Sequence, residues 1–107
     1  MDEIIIKLCC AGGMSSGILV EKMKEAAKIQ GIQTKISAGP AKKVASDLQW
    51  EIPDVVMVGP QVRFVVPRLK ESLKGKAKDG GDIPVEIIDA LDYGRLNGSR
   101  ALELAAK

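Results

Sequence analysis

The chain has 107 residues, enough for one domain of ordinary size but not two. It is 46% hydrophobic and 28% charged, the balance of a water-exposed globular fold. A net charge of +2, dispersed along the chain, argues against nucleic acid as a partner. No apolar run approaches the roughly 20 residues that span a bilayer. One Phe, one Trp and one Tyr leave the core to aliphatic side chains, and there is no histidine. The missing histidine excludes imidazole acid–base catalysis, a phosphohistidine on this chain and most zinc sites; no metal or cofactor is expected. The acidic start, MDEIII, enters a strand directly and does not read as a signal peptide. The two cysteines are adjacent, which is no framework for ordinary disulfides, so the expected setting is cytoplasmic with reduced thiols.

Residues 4–9 (IIIKLC) read as a buried strand and residues 16–30 as a helix. In that helix Leu19, Met23, Ala26 or Ala27 and Gln30 recur at helical spacing, and Gly31 suits the position just past its end. Residues 32–37 (IQTKIS) alternate apolar and polar, the pattern of an edge strand. A short helix is expected over 40–48. Residues 54–59 (DVVMVG) form an unbroken apolar run, the mark of a central parallel strand. Residues 61–74 read as a helix that Pro67 should kink or restart. GKAKDGGD (75–82) reads as a surface loop, 84–88 as a fourth strand, 89–95 as a turn or short helix, and 97–106 as a terminal helix starting near Asn97 or Ser99.

This alternation predicts an α/β three-layer sandwich: one four-stranded parallel sheet with helices on both faces. An edge second strand and a central third strand give the order 2-1-3-4. Winding then reverses between strands 1 and 3, and such sheets bind ligands at the C-terminal ends of the strands flanking the reversal. The loops there are CCAGGMSSG, residues 9–17, and GPQ, residues 59–61.

A Gly-rich turn opening a helix points backbone N–H groups at one spot and forms an anion cradle. Ala11, Gly12, Gly13, Met14, Ser15, Ser16 and Gly17 are the candidate phosphate-binding residues, the two serines adding hydroxyls. Cys10, at the strand exit, is the candidate nucleophile, because a thiol at a helix N-terminus is driven toward thiolate. Cys9, the last strand residue, reads as a small buried hydrophobe. Cys-based phosphatases place an arginine six positions after the nucleophile. Here Ser16 stands six after Cys10, and no arginine lies in the loop. The bidentate fork expected for hydrolysis is missing, so a relay is favoured over a phosphatase or arsenate reductase, or over a non-catalytic regulatory domain.

The loop Cys10-Ala11-Gly12-Gly13-Met14-Ser15-Ser16 resembles the Cys-x-x-Gly-Met-Ser-[Ser/Thr] loop of the IIB component of the bacterial sugar phosphotransferase system, lactose/cellobiose/chitobiose class. The likeness continues through DVVMVGPQV (54–62), Pro67 and PVEIIDALDYG (84–94), nearly the whole chain in register, and implies one IIB domain over 1–107. It implies that Cys10 accepts a phosphoryl group from a phosphohistidine on a IIA partner. The group then passes to a sugar held by the membrane IIC transporter, with which the chain would associate peripherally. Two residues depart from the pattern: Ala11 replaces a frequent hydroxyl residue, and Gly17 a frequent serine. Gln61 and Tyr93 are further candidates for lining the pocket or touching partners, Met14 for docking or packing, and Arg63 and Arg68 for docking. Trp50 reads as a packing residue and Asp54 as a turn or surface charge.

Overall fold

The computed structural model describes residues 3–10 and 14–105. Strand β1 (Ile4–Cys9) leads to helix α1 (Met14–Gln30), then β2 (Thr34–Gly39), α2 (Ala41–Ser46), β3 (Val55–Val58), α3 (Val66–Leu73), β4 (Val85–Ile87), α4 (Ala90–Gly94) and α5 (Gly98–Ala105). Short 3-10 turns cover Asp47–Gln49 and Pro60–Val65. The four strands form one parallel sheet in the order β2-β1-β3-β4, as the alternation of elements predicts.

Side chains alternate across the sheet and build a core on each face. Ile6 and Leu8 of β1 and Val55 and Met57 of β3 pack with Leu19, Val20 and Met23 of α1 and Ala101 and Leu102 of α5. Cys9, Val56 and Val58 face the other way, against Val44 of α2 and Leu69 and Leu73 of α3. The two inner layers contain almost no aromatic side chain, and aliphatic residues fill them as the composition requires.

Several local boundaries moved for identifiable reasons. Gln30 is exposed rather than part of the buried stripe of α1. The helix begins two residues earlier than expected, at Met14, and ends at Gln30 as expected: Gly31 takes φ +73°, Ile32 N–H donates to Ala27 and Gly31 N–H to Lys28, a Schellman closure. Ile32 then packs on the core in place of Gln30, and β2 starts two residues later than its alternation suggests. Val20, absent from the sequence stripe, is buried. Ile36 is the one buried residue of β2, as an edge strand requires. The segment 61–74 is split into a 3-10 turn and α3, with Pro67 in the first turn of α3, where its missing N–H costs nothing.

Lys7 is the one charge inside central β1. It donates to Ser37 at 3.0 Å and pairs with Glu51 at 3.3 Å, and Glu51 also takes Lys35 at 2.6 Å. The Lys35 hydrogen bond holds the Glu51 carboxyl below its usual range, against the smaller opposing effect of burial. Trp50 is 80% exposed, contrary to the packing role expected for it; its neighbours Leu48 and Ile52 turn into the core instead. Asp54 accepts from Ile5 N–H at 2.7 Å and lies 3.8 Å from Lys78, a strand-start anchor on the surface. Among the described residues no helix is long and apolar enough to cross a membrane.

Candidate functional site

β1 lies between β2 and β3, so its C-terminal end is where the winding of the sheet reverses. Hydrogen bonds continue the ladder past the strand on both sides of Cys10. Cys10 N–H donates to Gly39 O at 3.1 Å, and Gly59 N–H donates to Cys9 O at 3.0 Å. The peptide carrying Cys10 is therefore clamped between the tips of β2 and β3. Its thiol makes a long contact of 3.9 Å with Gly39 O, and the residue is 6% exposed.

Cys9 and Cys10 are both free thiols in different surroundings. Strand alternation turns Cys9, 1% exposed, into the core formed by Val58, Val44 and Leu69. Burial, and to a lesser extent the neighbouring Cys10 charge, push the Cys9 thiol up to about 11. It is a protonated packing residue at neutral pH, as expected for the last residue of a buried strand.

Ala11, Gly12 and Gly13 lie outside the described residues, as do the side chains of Met14 and Ser15. Ser16 is buried in the first turn of α1, and Gly17 is exposed in the same turn, with open space where a Cβ would project. The described ends of the loop thus meet the expectation of a strand exit followed at once by a helix N-terminus.

Two residues named for the pocket meet at the tip of β3. A Cβ on Gly59 would lie 3.2 Å from Tyr93 Cε2 and 3.4 Å from Gln61 Oε1. A side chain at Gly59 would crowd the tyrosine ring, which would have to shift slightly to admit it. Sequence reasoning placed the loop 59–61 at the reversal of the sheet but did not foresee that the Tyr93 ring crowds Gly59. Tyr93 is itself fixed at both ends of its helix. Asp89 caps α4 by accepting from Leu91 N–H at 2.9 Å. Past α4, Asn97 N–H bonds Asp92 O and Leu96 N–H bonds Tyr93 O, a Schellman closure with Leu96 at φ 54°. A left-handed leucine costs about 1 kcal/mol or more; it is held there because its side chain packs on the core. Arg63 and Arg68 are exposed, and Arg63 borders an open cleft of about 870 Å³ with Asp89, Asp92, Arg100 and Glu103.

Residues 5–104 match the family described as PTS system, Lactose/Cellobiose specific IIB subunit. The chain belongs to that family. It is 40% identical over 100 residues to the oligo-beta-mannoside-specific EIIB component of the phosphotransferase system (PTS) of Bacillus subtilis (strain 168), covering 94% of this chain and 90% of that protein. It is 35% identical over 108 residues to the cellobiose-specific EIIB component of Lactococcus lactis subsp. lactis (strain IL1403), covering 98% and 95%. The solution structure of a cellobiose-specific phosphotransferase IIB component from Borrelia burgdorferi superposes with a TM-score of 0.74 at 36% identity, over 98% of this chain and 90% of that one. The lactose-specific IIB domain from Streptococcus pneumoniae shares the fold, with a TM-score of 0.78 at 20% identity over 98% and 96% of the two chains. IIB components act in phosphotransfer during sugar uptake, and the resemblance carried by the Cys10 loop extends to the whole architecture.

Proposed function

We propose that this IIB protein is a phosphoryl carrier in which Cys10 is the acceptor and donor. A IIA partner presents a phosphohistidine. The Cys10 thiolate attacks phosphorus, an S–P bond forms, the P–N bond breaks, and the electron pair returns to the imidazole nitrogen. A hydroxyl of a sugar bound by the membrane IIC transporter then attacks the same phosphorus. The S–P bond breaks, the thiolate is regenerated, and the hydroxyl proton leaves to a base on the transporter side. Backbone N–H groups from Ala11 to Gly17, with the Ser15 and Ser16 hydroxyls, hold the phosphoryl oxygens. The chain itself works in the cytoplasm, at the inner surface of the transporter.

The observation that carries this reading is the position of Cys10. It is the strand-exit residue at the reversal of the sheet, its backbone clamped on both sides, and the chain enters α1 within four residues. The residues from Cys10 to Gly17 include no arginine, so nothing there grips the group in the way a phosphatase needs. Asp89 and Asp92, carboxylates that could activate water, are engaged with Leu91 N–H and Arg100 beyond β4. The phosphocysteine should therefore persist. The test is to isolate the phosphoprotein, remove the donor and follow inorganic phosphate. Slow release, with ready return of the group to the IIA histidine, is expected. Rapid multiple turnover of a generic phosphate ester that requires Cys10 would instead make this a phosphatase.

A further inference from the structure

We propose that the Tyr93 phenol, its ring seated against Gly59, donates a hydrogen bond to an oxygen of the phosphoryl group carried on Cys10; this rests on the carrier reading above.

The ring edge of Tyr93 stands over the tip of β3. The Cβ that Gly59 lacks would lie 3.2 Å from Cε2 and 3.6 Å from Cζ, the carbon bearing the hydroxyl. Gly59 N–H is bonded to Cys9 O, so this tip is the backbone neighbour of the Cys9–Cys10 peptide. The ring is 7% exposed and packs on the same face as Ile6 and Leu8, the face to which alternation turns residue 10. Among the described residues the phenol oxygen makes no hydrogen bond, and no buried side-chain oxygen is left without a partner, so the hydroxyl is the part of this buried residue that reaches solvent. It is a donor at the tip of β3, which is hydrogen-bonded to the end of the strand that carries Cys10.

Charge and burial keep it a donor. Burial first, and then the charge of Cys10, push the Tyr93 phenol above its ordinary value. The nearby charges of α4 and α5 are otherwise occupied: Asp89 accepts from Leu91 N–H, and Asp92 pairs with Arg100. The phenol therefore stays protonated throughout the neutral range. In a loop with no arginine it supplies a neutral donor, which binds a phosphoryl oxygen without the cationic clamp that favours hydrolysis.

Tyr93 is the only tyrosine of the chain, so tyrosinate absorbance near 295 nm reports it alone. The full-length protein should be titrated free and after phosphorylation by a phosphorylated IIA protein, and phosphoryl uptake timed for the wild type and Tyr93→Phe. Phosphorylation should raise the Tyr93 midpoint by about one unit or more, because the phenol then donates to an anion. Tyr93→Phe, which keeps the ring, should accept the group roughly ten- to a hundredfold more slowly with an unchanged melting temperature. Uptake at Cys10 with an unmoved midpoint and a wild-type rate in Tyr93→Phe would overturn this assignment alone. No uptake by the wild type would overturn the carrier reading and this one together.

Discussion

Cys9 and Cys10 are neighbours in the chain and opposites in the structure. Cys9 ends β1 pointing into the layer of α2 and α3, where burial holds its proton on. Cys10 begins the loop, with its peptide clamped by Gly39 and Gly59. One residue of strand alternation separates a thiol that serves packing from the one proposed as the phosphoryl acceptor. Two glycines repeat the contrast along α1. A Cβ on Gly98 of α5 would lie 2.4 Å from the Lys22 carbonyl carbon, whereas one on Gly17 would meet nothing within 4 Å.

The largest effect should come from Cys10→Ser, which should abolish stable phosphoryl uptake from a phosphorylated IIA protein while leaving the melting curve near that of the wild type. Labelling that survives this change would erase the difference between the two thiols. Gly98→Ala should follow. Its Cβ runs into α1 backbone rather than a side chain that could swing away, so α1 and α5 must part, at about 2–3 kcal/mol in denaturant unfolding. A loss under about 0.5 kcal/mol would mean that the close approach is not tight.

Cys9→Ala should cost about 1 kcal/mol at pH 7 and leave phosphoryl uptake intact. It also sharpens the comparison at alkaline pH. The folded thiol titrates near 11, above the ~8.5 of an unfolded cysteine. The stability that this raised value contributes is complete below pH ~8.5 and is lost as pH rises toward 11. Unfolding curves from pH 7 to 10 should therefore fall more steeply for the wild type than for Cys9→Ala, and parallel slopes would contradict a buried, protonated Cys9. Gly17→Ala should be the mildest change, stabilising α1 by about 0.5 kcal/mol with phosphoryl uptake preserved, because the backbone N–H remains.

The sheet order could be read in the sequence because each strand carries its position in its pattern. VVMV is apolar on both faces and becomes central, while residues 34–39 bury only Ile36 and form an edge. The candidate loop could be named because a cysteine before a Gly-rich turn is a local pattern, although Ala11, Gly12 and Gly13 lie outside the described residues. What was not legible depends on contacts across the fold. α1 ends at Gln30 with Gly31 just past it, as read, but the core takes Ile32 rather than Gln30. Trp50 looks like a core residue by composition but follows a 3-10 turn that sends Leu48 and Ile52 inward in its place. The tyrosine over Gly59 joins residues 34 positions apart, a pairing no local window contains. Leu96 adopts a left-handed backbone that its residue type gives no reason to expect.

The most direct test of the central claim is the intact mass of the full-length protein after incubation with a phosphorylated IIA protein, followed by peptide mapping under conditions that preserve S–P bonds. The account predicts a gain of about 80 Da, one phosphoryl group, on the peptide containing Cys10 and none on Cys10→Ser. No gain, or a gain located on any other residue, would contradict it.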